Sequence, residues 1–152
     1  EPVDPLDYEA HAELAKVCTM PLATAENVFS LIDAKNLLQY GGLRRDRDWL
    51  QFDPSLCYGP SEFIAIVQMA DEMGWARRRH GPHGGQQLGL ALAAGLQLGG
   101  TETYPLVFQP FGGFGDDVVI EDGMVRVPNA PGLGVETKSE LYNTVLKLLA
   151  QG

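Results

Sequence analysis

Four side chains that can do acid, base or metal chemistry stand at regular intervals along this chain of 152 residues. They are, in chain order, Glu26, Asp53, His83 and Glu102. Roughly 20 to 30 residues separate each from the next, which is about the length of one strand, one loop and one helix. The spacing therefore predicts successive βα units, each of which delivers a polar side chain from the carboxyl end of a strand.

A carboxylate at the end of such a strand can hold a hard divalent cation such as Mg²⁺, which prefers oxygen ligands. Glu26 is the candidate metal ligand. A single glutamate after an apolar strand is more often a helix cap or a surface group, so the other three residues strengthen this interpretation. His80 and His83 have the spacing of a histidine metal pair, but no third ligand stands nearby in the sequence.

His83 is the candidate general acid or base, because its ordinary pKa lies near neutrality. It precedes Gly84 and Gly85, whose missing side chains would let a substrate approach the imidazole. Asp53 could accept a hydrogen bond from the second ring nitrogen and fix the tautomer. Glu102 could bind a substrate oxygen, and a role in surface or helix packing explains its position equally well.

The elements that must position these groups can be predicted from capping residues, glycine stops and apolar periodicity. Helices are expected over 7–17, 30–39, 61–73, 86–98 and 139–150, with Ser30, Ser61 and Ser139 as caps. Strands are expected over 20–25, 48–53 and 77–83, and a hairpin over 118–127 around an Asp-Gly turn. This order indicates an α/β fold with a C-terminal hairpin and helix.

Charge and composition argue against nucleic-acid binding, membrane association and a disulfide scaffold. The net charge of -9 disfavours nucleic acid or an anionic membrane as the main partner. No segment approaches the roughly 20 apolar residues of a membrane span. Two cysteines, Cys18 and Cys57, are too few for a disulfide scaffold, so a cytoplasmic location is expected.

Several long motifs resemble the mandelate racemase and muconate lactonizing branch of the enolase superfamily, most closely its D-tartrate dehydratase-like members. The resemblance covers the whole chain. It is carried by 1–2, 4–8, 23–27 (ATAEN), 40–42, 46–53 (DRDWLQFD), 82–85 (PHGG), 108–114 (FQPFGGF) and 131–134 (PGLG).

The resemblance implies the C-terminal part of a modified TIM barrel, (β/α)7β. Residues 1–107 would form about strands 5 to 8 with their helices, and 108–152 would return to a capping domain. Glu26 would be the third carboxylate ligand of Mg²⁺, Asp53 and His83 a catalytic dyad, and Glu102 a substrate contact.

The resemblance also implies a hydro-lyase, which removes the proton alpha to a carboxylate of a hydroxy acid or sugar acid and eliminates water. The other two metal ligands and a lysine base would come from strands before Glu1, so an N-terminal region or second chain must complete the barrel. The isolated chain is expected to be inactive and prone to homo-oligomerise.

Three positions depart from the family pattern. They are Ala25, Gln86 and Thr101, where the family or its related dehydratases have glycine, histidine and asparagine, respectively. These departures leave the precise substrate open. Two alternatives also stay open: a non-catalytic half-barrel that binds a partner or oligomerises, and a racemase or other sugar-acid dehydratase on the same scaffold.

Overall fold

The computed structural model describes residues 1–151, so Gly152 at the end of the predicted C-terminal segment lies outside it. Helices and parallel strands alternate through the first two-thirds of the chain, as predicted for an α/β fold. The helices are α1 (Tyr8–Val17), α2 (Leu31–Tyr40), α3 (Pro60–Glu72), α4 (Gln87–Gly95) and α5 (Ser139–Leu149). Two short 3₁₀ helices span Arg77–Arg79 and Val135–Thr137.

A narrow parallel ladder positions the polar residues. β1 (Ala23–Thr24) pairs with β2 (Trp49–Leu50), and Leu50 forms a single parallel bridge to His80. The ladder continues because the amide of Gly99 donates to the carbonyl of His80. Four consecutive segments therefore run side by side in sequence order, each connected to the next by a helical crossover.

The strands are much shorter than the sequence predicted. The expected strands over 20–25 and 48–53 are reduced to two residues each, and 77–83 forms a 3₁₀ helix followed by one bridging residue. The residues next to these short strands still lie beside the adjacent ladder segment, as the hydrogen bond from the Gly81 amide to the Leu50 carbonyl shows. They lack the repeated ladder bonds that define a strand.

The core lies between the ladder and the helices that cover one of its faces. α2 packs against both α1 and α3. The largest core side chains are fully buried and come from α2, the ladder segment and α3: Leu37, Leu50, Phe52, Phe63 and Ile66. Burial of these groups gives the ladder a rigid support.

The helix starts predicted from capping residues are confirmed only where the predicted side chain bonds an amide of its own helix. Ser30 caps α2, since its hydroxyl accepts a hydrogen bond from the Asp33 amide. Ser61 is wrong as a cap: Gly59, with φ of +92°, precedes Pro60, which is preorganised for the first helical position. Ser139 is also wrong as a cap, because its hydroxyl bonds the Asp116 carboxylate instead.

The other helical predictions need only small corrections. α1 begins after Asp7, whose side chain caps it, whereas α4 ends at Gly95 and so is shorter than the predicted 86–98. The hairpin is confirmed, with β3 (Ile120–Glu121) and β4 (Met124–Val125) antiparallel around the Asp-Gly turn. Over residues 1–151, no helix has the length and apolar character needed to cross a membrane.

Candidate active site

The four predicted side chains converge at the carboxyl ends of the ladder segments. Glu26 follows β1, Asp53 follows β2, and His83 and Glu102 follow the next two segments. Around His83, the three carboxylates lie within 4 Å of the ring nitrogens. Because parallel segments end at the same edge, residues far apart in sequence meet there.

His83 and Asp53 form a direct hydrogen bond. The Nδ1 atom of His83 lies 2.9 Å from Oδ2 of Asp53, which is almost completely buried. The other oxygen, Oδ1, accepts the backbone amide of Ser55 at 2.6 Å. Asp53 is therefore held by its own turn and places the His83 proton on Nδ1, which leaves Nε2 directed into the site.

Glu26 faces the Nε2 atom of His83. Its Oε2 atom lies 3.4 Å from Nε2 of His83, and its Oε1 atom accepts a hydrogen bond from the Asn27 side chain at 3.2 Å. One-third of the side chain is exposed, so the carboxylate is accessible. An accessible oxygen donor of this kind fits a hard cation such as Mg²⁺.

Three hydrogen bonds hold the Glu102 carboxylate. Oε1 accepts from the Gln51 side-chain amide at 3.0 Å, whereas Oε2 accepts from the Gly84 backbone amide at 3.3 Å and from the Tyr104 hydroxyl. Burial, followed by the hydrogen bond to Glu102, raises the pKa of Tyr104 well above its ordinary value. Tyr104 therefore remains a donor, and the carboxylate has one fixed orientation.

Gly84 and Gly85 allow these groups to approach one another. Gly84 has φ of +101°, and a Cβ atom there would lie 2.9 Å from Oδ2 of Asp53. Gly85 has φ of +53°, and its Cβ atom would lie 2.6 Å from the Tyr104 ring. Both positions need glycine for conformation and for space.

Three contributors were missed by the sequence analysis. Gln51 and Tyr104 bind Glu102, and Glu1 accepts hydrogen bonds from the loop that carries Glu26. Gln51 and Tyr104 each lie two residues from a predicted site residue. Alternation along an extended segment places such residues on the same side, and this signal could have identified both.

The possible histidine pair does not form. His80 belongs to the ladder, and its buried side chain lies beside Phe52 with ring centroids 6.4 Å apart. Within residues 1–151 neither ring nitrogen of His80 has a hydrogen-bond partner. Burial lowers the pKa of His80 to about 4. In the described part of the chain, no group of three or more histidine, cysteine, aspartate or glutamate residues is arranged to hold a metal by itself.

Comparison with known families identifies the class of protein. A sequence model of the family described as enolase C-terminal domain-like matches residues 1–141. The chain belongs to this family, which confirms the resemblance of the sequence motifs to the enolase superfamily.

Relatives with similar sequences include sugar-acid dehydratases. The chain is 29% identical over 134 residues to L-talarate/galactarate dehydratase from Salmonella typhimurium, covering 88% of this chain and 31% of that protein. It is 31% identical over 160 aligned residues to D-galactonate dehydratase from Ralstonia pickettii, covering 93% of this chain and 38% of that protein. The chain thus spans about one-third of the length of these relatives.

Comparison with solved structures also matches the chain to a sugar-acid dehydratase. L-Talarate dehydratase from Polaromonas sp. JS666, solved in complex with Mg and L-glucarate, matches with a TM-score of 0.64 and 29% identity. The match covers 88% of this chain and 35% of that one. The fold of the chain is therefore that of the corresponding third of a dehydratase.

Proposed function

We propose that this chain is the C-terminal part of a Mg²⁺-dependent acid-sugar dehydratase of the D-tartrate type. The observation that carries the proposal is the hydrogen-bonded His83–Asp53 pair beside the accessible Glu26 carboxylate. Membership in the enolase C-terminal domain-like family and similarity to galactarate, talarate and galactonate dehydratases support the dehydratase reaction. The D-tartrate type rests on the resemblance of the sequence motifs alone.

In this proposal, His83 is the general acid. Asp53 holds the Nδ1 proton, and in the doubly protonated imidazole the Nε2 proton would face the site. As the carbon–oxygen bond of the substrate breaks, the departing hydroxide takes the Nε2 proton and leaves as water. His83 becomes neutral and must be reprotonated before the next turnover.

Glu102 orients the substrate. Three donors hold its carboxylate, and its Oε2 atom lies 3.9 Å from Nε2 of His83. A substrate hydroxyl that donates to Glu102 would thus lie within reach of the acid. The proton alpha to the substrate carboxylate would be taken by a lysine from an earlier strand.

Glu26 would hold the metal. Mg²⁺, when bound, supplies positive charge that stabilises the negative charge developing on the substrate carboxylate. Because the described residues contain no complete metal cluster, the remaining protein ligands would come from another segment or chain.

The same proposal assigns the architecture. Residues 1–107 would form part of the (β/α)7β barrel, and 108–152 would pack on a capping domain. An N-terminal region or second chain would close the barrel, and the assembly would be a homo-oligomer. The isolated chain would be inactive, because the lysine and two carboxylates of the site lie outside it.

The test is a substrate screen of the full encoded polypeptide. With Mg²⁺ and a panel of aldonic and aldaric acids that includes D-tartrate, we expect formation of a keto acid and its loss in His83→Asn. Exchange of the alpha proton without loss of water would instead indicate a racemase. Absence of both reactions from the folded protein would contradict the dehydratase and racemase assignments.

A further inference from the structure

The Glu1 side chain binds the loop that carries Glu26. Its Oε2 atom accepts the Thr24 hydroxyl at 2.7 Å, and its Oε1 atom accepts the backbone amides of Ala25 at 3.1 Å and Asn27 at 3.2 Å. The two amides flank Glu26. One carboxylate thus connects the end of β1 to both sides of the candidate metal ligand.

The loop needs such an acceptor. Ala25 is fully buried and has φ of +93°, a left-handed conformation that costs energy for a residue with a Cβ atom. This conformation directs the amides of residues 25 and 27 toward the same oxygen. Without the acceptor, a buried amide would lose its partner, and the loop could relax to an ordinary backbone conformation.

We propose that Glu1 is a positioning residue that holds the Ala25 turn and thereby fixes the Glu26 carboxylate for the cation. The inference rests on the proposed function, in which Glu26 binds Mg²⁺. The two carboxylates would have different roles: Glu26 would contact the metal, whereas Glu1 would act through hydrogen bonds to the backbone.

The bonding pattern also separates positioning from direct ligation. Three donors within the protein already engage the two Glu1 oxygens. A neutral glutamine could accept both amides through its single oxygen, and its NH₂ group could donate to the Thr24 hydroxyl. A ligand that acts by charge could not be replaced in this way.

The experiment measures Mg²⁺ affinity by calorimetry and the shift in unfolding temperature on adding Mg²⁺, using the full encoded polypeptide. We expect Glu1→Leu to weaken Mg²⁺ binding about 10- to 100-fold, the range typical of residues that orient metal ligands. Glu1→Gln should restore most of the affinity. Glu13→Leu removes an exposed carboxylate of α1 and should bind Mg²⁺ like wild type.

Thr24→Val tests the same network when Glu1→Leu does not fold. It removes only the hydroxyl donor to Glu1, and we expect a smaller loss of Mg²⁺ affinity. Wild-type affinity in the folded Glu1→Leu or Thr24→Val variant would overturn the inference. Equal losses in Glu1→Gln and Glu1→Leu would also overturn it. Failure of wild type to bind Mg²⁺ would overturn the metal proposal itself, and the inference with it.

Discussion

The Nδ1 atom of His83 lies 2.9 Å from Oδ2 of Asp53, although 30 residues separate the two in the chain. Asp53 is almost completely buried, and a turn amide holds its second oxygen. The pair therefore has a defined direction, with the carboxylate behind the imidazole and Nε2 facing Glu26 and Glu102.

Asp53→Asn should lower kcat of the full enzyme by about 10²- to 10⁴-fold, the range for loss of general acid–base catalysis. Asparagine carries no negative charge, so the doubly protonated imidazole that supplies the Nε2 proton loses its stabilising partner. Steady-state kinetics would measure the loss. Asp46→Asn, at an exposed carboxylate paired with Arg47, is the matched control and should leave kcat unchanged. A fully active Asp53→Asn enzyme would exclude the dyad.

Gly84→Ala should reduce both activity and stability. The new Cβ atom would lie 2.9 Å from Oδ2 of Asp53, and φ of +101° disfavours alanine, so we expect a loss of about 1–3 kcal/mol in the free energy of unfolding. Chemical denaturation and kcat would report the two effects. At Gly100 nothing lies within 4 Å of a new Cβ atom, and Gly100→Ala should be tolerated. Equal behaviour of the two variants would contradict the close packing.

Tyr104→Phe should weaken the orientation of Glu102. Its hydroxyl donates to a carboxylate, and a hydrogen bond to a charged group contributes about 1.5–3 kcal/mol, so kcat/KM should fall about 10- to 100-fold. Tyr58→Phe removes a hydroxyl from a side chain that is 79% exposed and serves as the control. If kcat/KM is the same in Tyr104→Phe and wild type, Glu102 does not need this donor.

Ala25→Gly should stabilise the protein. Glycine adopts φ of +93° without the Cβ penalty of about 1–2 kcal/mol, which exceeds the roughly 0.8 kcal/mol lost with the buried methyl group, so we expect a small gain in the free energy of unfolding. Ala65→Gly, within α3, should have the opposite sign and a cost of about 1 kcal/mol. Thermal denaturation of both variants checks the prediction, and equal losses of stability in Ala25→Gly and Ala65→Gly would contradict the strain.

Stability should fall in acid because of His80. Burial lowers its pKa from 6.5 to about 4, so the unfolded chain binds more protons than the folded chain between these values. The neutral histidine's full contribution is therefore present above pH 6.5 and is lost progressively as pH falls toward 4. The effect is at most about 3 kcal/mol. Denaturation at pH 7 and pH 5 should show a smaller difference for His80→Leu than for wild type, and equal differences would contradict this origin.

Local signals in the sequence were sufficient for several elements. The Ser30 cap acts on an amide three residues away, and the Asp-Gly turn joins two adjacent short strands. Such interactions depend on neighbours only, so residue type determines them. The Ser61 and Ser139 caps failed because a favoured Pro60 start and a distant Asp116 carboxylate competed with the local bond.

The sequence by itself determined the order of the chemical groups and the helices that separate them, since these follow from residue type, periodicity and capping within a few positions. Only the tertiary structure decided that His83 contacts Asp53, that Gln51 and Tyr104 hold Glu102, and that Glu1 holds the Ala25 turn. Most of these contacts join residues from segments that are distant in the sequence, and the contact between Tyr104 and Glu102 depends on the local path of the chain. Their distances depend on how the parallel segments align and how the core packs behind them, which no local pattern specifies.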